Sequence, residues 1–347
     1  MGSITEGTET GTGLIKLNPV FKEVVWGGDR LKTVFGYDIP GDNTGECWGI
    51  SAHPHGDCTV EGGEYDGKTL SWLWKNKPEL FGRSREPENL KNDHGSDIFP
   101  LLTKIIDAKK DLSVQVHPDD DYARIHENGA KGKTECWYIL DCDPGTTIII
   151  GHNAKTREEL KSMINNGRWS EFLREIPIKK GDFFQIFPGT VHAIKGGTVI
   201  LETQENSDVT YRVYDYDRLQ NGKLRELHIQ QSIDVITVPF DENAGWEKGE
   251  PLVGSDNESL VKCRDFHVWH LKCGENSVYQ NNGSNYMLCS VIEGEGTLSV
   301  VSNLKSINRV PVKKGDHFIL TAGFTGFMTT GSFDMICSVT GEEYENS

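Results

Sequence analysis

Apolar residues along this chain fall mostly into short β-branched or aromatic runs that Gly, Asn or Asp interrupt every few positions: "CWGIS", "CTVEG", "CWYIL", "TTIIIG", "DFFQIF", "GTVILET", "VTYRVYDY" and "VPVKKGDHFIL". Runs of that length and spacing predict strands joined by tight turns, and so a sandwich or barrel rather than alternating β-α units. Two stretches have a helical period instead. In "KTREELKSMINNG", Thr156 and Glu159 form a capping box, Leu160, Met163 and Ile164 share one face, and Gly167 is the stop. "KTLSWLWKNKPELFG" reads as a short helical segment with Ser71 as its cap. Both are expected as covers inserted on a β core, over about 68–95 and about 155–175.

The pattern also repeats. "IPIKKGDFFQIFPGTVHAI" (176–194) is echoed by "VPVKKGDHFILTAGFTGFM" (310–328), with Gly181 and Asp182 falling on Gly315 and Asp316. Ahead of each lies a related piece, "ECWYILDCDPGTTIII" and "MLCSVIEGEGTLSV", in which a strand enters an acidic Gly turn and a second strand follows. The expected fold is therefore mainly β, in two similar domains. Polar, turn-forming "VPFDENAGWEKGEPLVGSDNE" separates them, which divides the chain into 1–240 and 241–347.

At 347 residues with a 36% apolar share, the chain is long enough for two packed cores. Its 36 basic and 52 acidic residues leave a net charge of −16, which argues against nucleic acid or an anionic membrane as partner. A phosphorylated substrate would then need a local basic pocket. The eight cysteines include no C-x-x-C pair, the N-terminus lacks the plan of a signal peptide, and no apolar run reaches membrane-spanning length; the expectation is a reduced, cytoplasmic protein.

The segment "LSVQVHPDDDYARIHENGAKGKTECWYIL" (112–140) begins and ends as a strand but carries an unusual load of His, Asp, Glu and Lys between. Gln115 and His117, two apart, project from the same face of an extended segment and suit a metal ion. A lone Gln in a strand is ordinarily a satisfied or solvent-side residue, so the weight lies on the joint pattern. Further along, "GDFFQIFPGTVHAI" turns at Gly181-Asp182 and again at Pro188-Gly189 before His192 starts a strand.

That last stretch resembles the second motif of the cupins, small jelly-roll barrels whose metal ligands come from neighbouring strands. Gln-x-His, a long excursion, K-x-E and a late His, together with "EVVWGGDRL", "GECWGIS", "PGTVHAI" and "ILETQENSDVTYRVYDYDR", are similar to the type I mannose-6-phosphate isomerases in their shorter bacterial form. The resemblance covers nearly the whole chain. It implies two cupin-type jelly-roll barrels or sandwiches with short inserted helices. The N-terminal one would be catalytic, holding a single Zn2+ on Gln115, His117, Glu135 and His192, a donor set that suits a divalent first-row ion with positions left open. At the position matching His192 the second repeat has Gly326, so the C-terminal domain is expected to bind no metal. The implied reaction interconverts mannose 6-phosphate and fructose 6-phosphate through an enediol, in mannose utilisation or GDP-mannose supply, in a monomer or homodimer.

The same resemblance implies Lys133, Glu202, Asp208 and Arg212 as catalytic residues. Glu202 is the candidate base, Asp208 orients Arg212 or assists proton transfer, and Lys133 with Arg212 supplies the basic patch a phosphate demands; the bland reading of the last two is a surface salt bridge. The rivals are a non-enzymatic sugar-binding bicupin and an iron-dependent dioxygenase of the same superfamily. "GGEYDGKT" (62–69) satisfies the P-loop pattern formally, but it follows no apolar strand and carries Glu64 and Asp66 inside the supposed anion nest. His53 and His55 flank Pro54 in what reads as a loop. His94, His126 and His152 sit among polar residues and are expected to be exposed. Cys136, alternating away from Glu135, reads as a core residue, and "HPDDD" as a helix N-terminus with Pro118 in first position.

Overall fold

The computed structural model describes residues 13–83, 98–220, 222–242, 247–281, 283, 285–302 and 307–341. It is mainly β, and among the described residues its sheets do not close into barrels. The described residues of Phe21–Trp48 and Pro100–Trp246 form one compact unit, and those of Met1–Val20, Gly49–Phe99 and Glu247–Ser347 the other. A cut at 240/241 would thus assign two N-terminal segments elsewhere than where they pack. The physical reason is strand pairing: Leu14–Asn18 runs antiparallel to His317–Leu320 and also pairs with Thr59–Val60.

The unit centred on 100–246 has two sheets. A six-stranded one runs in the order Phe183–Ile186, Glu135–Cys142, Thr198–Glu205, Leu101–Ala108, Thr44–Ile50, Val20–Glu23, and a five-stranded one in the order Leu173–Pro177, Thr147–His152, His192–Ala193, Val114–Val116, Tyr211–Tyr214. Ile106, Trp137, Ile139, Ile186 and Ile200 of the first meet Ile148, Ile150 and Ile194 of the second in one buried cluster. Each side chain taken fully from water there contributes about 1.5–3 kcal/mol. The outer face of the five-stranded sheet, with Val114, Val116 and Ile149, is covered by Leu160, Met163 and Ile164 of helix Arg157–Asn165 and by Ile233 of helix Ile229–Val235. Thr156 caps the first of these helices as expected, its side chain accepting from Glu159 N.

Elsewhere the local reading shifts by a residue or two. Thr69, in extended conformation, caps helix Leu70–Asn76, while Ser71 lies inside the first turn and bonds Asp57 at 2.5 Å. Asp119, not Pro118, begins helix Asp120–His126, because its carboxylate accepts from Tyr122 N at 2.8 Å. His152 is buried rather than exposed, stacked on Phe172 with its Nε2 donating to Thr237 O at 2.9 Å, whereas His126 is exposed as expected. His94 and part of the segment 68–95 lie outside the described residues. The P-loop-like stretch is closed from within: Gly62 N donates to Asp66 Oδ1 at 2.7 Å, and Lys68 lies over the Trp72 ring.

The other unit is built on one nine-stranded sheet dominated by Met287–Ser302 paired with Phe324–Thr340. The repeat seen in sequence recurs here bond for bond. Gly181 N donates to Ile139 O, Ile139 N to Asp182 O, and Asp182 Oδ2 accepts from Lys179 N; Gly315, Val291, Asp316 and Lys313 make the same three bonds, all at 2.9 Å. Both glycines have φ near +90°, a conformation that L side chains rarely adopt.

His317 in this unit is buried, bonded to Ser290 Oγ at 2.8 Å, and burial pushes its imidazole down to about 4. The unfolded chain takes up that proton near pH 6.5, so the stability held by neutral His317 is fully present above about 6.5 and is lost as pH falls towards about 4, at about 1.4 kcal/mol per pH unit. Denaturant unfolding at pH 7.5 and 5.0 checks this: His317→Gln is expected to start less stable and to lose less on acidification than the parent, and equal losses in both would remove His317 from the account.

Candidate functional site

The strand Val114–Val116 sits in the five-stranded sheet between His192–Ala193 and Tyr211–Tyr214, with Gln115 in register with both His192 and Arg212. Residues opposite one another on antiparallel strands project to the same side. Val114 and Val116 point at the helices, so Gln115 and His192 are on the sheet's other face, with Arg212 beside them on the edge strand. From the facing sheet come Glu135, Lys104 and Glu202: the last two are register partners, and Glu202 is also opposite Trp137. Alternation of strands thus delivers two sets of polar side chains into one apolar interior.

The long excursion between His117 and Glu135 returns to its own start. Lys133 N donates to Pro118 O at 3.1 Å and Gly132 N to Asp120 Oδ1 at 2.8 Å, closing the loop that holds helix Asp120–His126. This brings His117 Nε2 to 3.4 Å from Glu135 Oε2, while His192 Nε2 lies 3.3 Å from Glu135 Oε1. His117, Glu135 and His192 are buried and offer ligand atoms within 4.8 Å of one another. Each imidazole donates its Nδ1–H to a backbone carbonyl, of Val209 and Thr190 respectively, both at 2.8 Å. That fixes the tautomer which leaves Nε2 as a lone pair facing the cluster. Glu135 Oε1 and His192 Nε2 are buried without a hydrogen-bond partner, while Glu135 Oε2 faces the Lys133 ammonium. Buried polar atoms left this way, convergent and of mixed N and O type, fit a divalent cation.

The electrostatics agree. Burial drives the His117 imidazole down to about 3, helped by Lys133, and burial likewise lowers His192, so both are neutral bases. For Glu135 burial would raise the carboxyl, but Lys133, His117 and His192 together hold it well below the usual range. Lys133 Nζ stands 2.8 Å from Glu135 Oε2 and 3.3 Å from His117 Nε2; burial opposes its charge, yet Glu135, Glu202 and Glu46 keep its ammonium above the ordinary value. Glu202 is buried too, and its carboxyl is raised, first by burial and then by Glu135, against the pull of Lys133 and Lys104. Trp137 Nε1 donates to its Oε1 at 3.1 Å, and Lys104 Nζ lies 3.4 Å from its Oε2.

Lys104 is the residue that sequence reading passed over. Its signal was available, as the one cation of "LLTKIIDA", every residue of which is buried. Its ammonium also lies over the Trp48 ring, whose Nε1 donates to Glu46 at 2.6 Å. Arg212 is half-buried, donating through Nη1 to Glu226 O at 2.8 Å, and the carboxylates whose charge it feels are Asp215 and Glu226. Asp208 is exposed on the turn after Thr198–Glu205. Cys136 is buried on the opposite face of its strand from Glu135, as expected.

Two family models match the chain: "Phosphomannose isomerase type I, catalytic domain" over residues 14–142 and "Mannose-6-phosphate isomerase, cupin domain" over 256–340. Mannose-6-phosphate isomerase ManA of Bacillus subtilis (strain 168) is 49% identical over 323 residues, covering 92% of this chain and 96% of that protein. The mannose-6-phosphate isomerase of Streptococcus mutans is 45% identical over 321 residues, with 92% and 95% covered. The crystal structure of the mannose 6-phosphate isomerase from Bacillus subtilis superposes with a TM-score of 0.83 at 44% identity, covering 94% of this chain and 99% of that one.

A Cβ on Gly132 would lie 2.5 Å from the backbone at Asp119 and Asp120, so Gly132→Ala must push the two ends of the excursion apart. Displacements of that size at reacting groups cost up to about a hundredfold. A fall in kcat of at least about tenfold is expected for Gly132→Ala, with Gly274→Ala, where the added carbon meets only ordinary contact, staying near wild type.

Proposed function

The chain belongs to the phosphomannose isomerases of type I, and on that premise we propose that it interconverts mannose 6-phosphate and fructose 6-phosphate through an enediol, with one zinc ion held by Gln115, His117, Glu135 and His192. The observation that carries this reading is the buried Glu135 carboxylate between two imidazoles whose Nε2 atoms are aimed at it, all three offering ligand atoms within 4.8 Å of one another. An amide oxygen, two neutral imidazoles and a carboxylate suit zinc with room for a further ligand. When bound, zinc would supply Lewis-acid polarisation of a sugar oxygen.

The remaining work falls to the chain's own side chains. Isomerisation moves a proton between C1 and C2, which calls for a group able to take it and return it near neutral pH. We assign that to Glu202, whose buried carboxyl is raised and therefore poised closer to neutrality than an exposed glutamate. Trp137 Nε1 fixes one of its oxygens and Lys104 flanks the other. Lys133, Lys104 and Arg212 give a chain of net charge −16 the local cations that a sugar phosphate and its enediolate require. Of the two roles expected for Asp208, we keep assistance in proton transfer at the rim, since Arg212 is oriented by Glu226 and its neighbours. Metabolically the reaction serves mannose utilisation or GDP-mannose supply. We place it in the cytoplasm because all eight cysteines are free thiols, two of them with sulfurs 3.5 Å apart; no described helix is long and apolar enough to cross a membrane.

A coupled assay from mannose 6-phosphate to fructose 6-phosphate, with and without chelator, tests the reading directly. His192→Ala is expected to lose zinc, read by elemental analysis, together with activity; full zinc retention would falsify the ligand assignment. Glu202→Gln is expected to keep its zinc and KM while kcat drops about 10²- to 10⁴-fold. Wild-type kcat in that variant would move the proton transfer to another group.

A further inference from the structure

Beyond the strand Tyr211–Tyr214 the chain makes a tight reversal in which Arg218 N donates to Asp215 O and both central residues, Tyr216 and Asp217, have φ above +50°. That is the primed hairpin turn, normally the province of Gly and Asn, and here it is made by two residues with side chains. It feeds a two-stranded ribbon in which Leu219 pairs with Leu224 and Gln220 with Lys223. Continuing that register towards the turn sets Arg218 opposite Arg225, and two like charges across a hairpin repel. A two-stranded ribbon with both paired leucines 63% exposed has little else to hold it down.

Asp215 resolves the conflict. It is 4% exposed, and its carboxylate accepts from Arg225 Nε at 2.7 Å and from Arg225 Nη2 and Arg218 Nη2 at 2.5 Å each. Arg218 also donates to Asp111 O. Bidentate Arg–carboxylate pairs of this kind fix orientation as well as charge. The consequence reaches Arg212 through three residues of chain. Next to Arg225 is Glu226, whose carbonyl receives Arg212 Nη1 at 2.8 Å, and two further on is His228, whose Nδ1 accepts from Arg212 N at 3.1 Å while its own N–H donates to Arg212 O at 2.8 Å. The acceptors that aim Arg212 therefore sit on a segment anchored by the Asp215–Arg225 pair. The same carboxylate offsets the charge of Arg218 and Arg225, both of which bear on the Arg212 guanidinium.

We infer that Asp215 and Arg225 are positioning residues for Arg212: the Arg218–Asp215–Arg225 clamp locks the segment carrying Glu226 and His228, and so sets where the Arg212 guanidinium meets the substrate. This rests on the reading that Arg212 acts on the sugar phosphate or its enediolate. The test is a double-mutant cycle on the zinc-loaded enzyme, with kcat and KM measured for Asp215→Asn, Arg212→Met and the two combined. Arg212→Met is expected to lower kcat on the order of a hundredfold. Asp215→Asn, which keeps shape but drops the charge, is expected to lower it about tenfold or more in the parent, yet by less than about twofold when Arg212 is already Met. Equal losses in both backgrounds would overturn the inference, because a general weakening of the fold does not depend on Arg212; so would an unchanged Asp215→Asn beside an impaired Arg212→Met. Near-normal constants in Arg212→Met would instead overturn the underlying reading and the inference with it. Should Asp215→Asn fail to fold, Arg225→Lys, which keeps the cation and loses the fork, enters the same cycle under the same criteria.

Discussion

A carboxylate with no exposed surface has to be met by positive charge or by donors, because its ionised form is otherwise far too costly outside water. Glu135 is such a group, and the interior of its unit is arranged around it. Lys133 arrives from the excursion just before the strand, His117 from the excursion's other end, and His192 from the facing sheet. The same charge adds to burial in raising the carboxyl of Glu202, so one buried ion both faces the two imidazoles and shifts the ionisation of its neighbour. Removing it would leave Lys133 buried without its nearest counter-charge, which ties the chemistry of the site to its stability.

Two strand-turn-strand modules with the same backbone bonds carry different loads. In one, Gly181 and Asp182 lead through Phe183–Ile186 to His192 and the polar interior; in the other, Gly315 and Asp316 lead to Gly326. There a Cβ would stand 2.4 Å from Tyr279 O, so the neighbouring strand occupies the space that a ligand side chain would need. The second sheet spends its interior on packing instead: Trp269, Phe318, Phe327 and Phe333 are all buried in one cluster. The turn is a reusable device for reversing a strand, and the chemistry depends on what the neighbouring strands leave open.

Errors in reading the chain have a common cause. Thr69 displaced Ser71 and Asp119 displaced Pro118 because a cap is chosen by which side chain finds the free amides, and candidates one or two residues apart differ little in sequence. His152 lies among polar neighbours in the chain but against Phe172 in space. Lys104 was overlooked because a single lysine in an apolar run has no motif around it; its partner Glu202 is 98 positions away in sequence but opposite it in the sheet. The strand Leu14–Asn18 joins the other unit for the same reason, through pairing with residues some three hundred positions on, and Thr59–Val60 pairs with that strand in turn.

Period, capping pattern and turn glycines are local properties, and the order of residues was enough to identify strands, the inserted helix Arg157–Asn165 and the repeat, while Gln115, His117, Glu135 and His192 became candidate ligands through the resemblance to a family. Which charges are buried, which face which, and how far each is pushed from its ordinary ionisation are properties of packing. Only the folded chain could decide that Lys133 is held above its ordinary ionisation while Glu202 is drawn towards neutrality, and that the charge of Asp215 bears on Arg212, because burial and Coulomb interaction depend on distances in space that the chain's order does not contain.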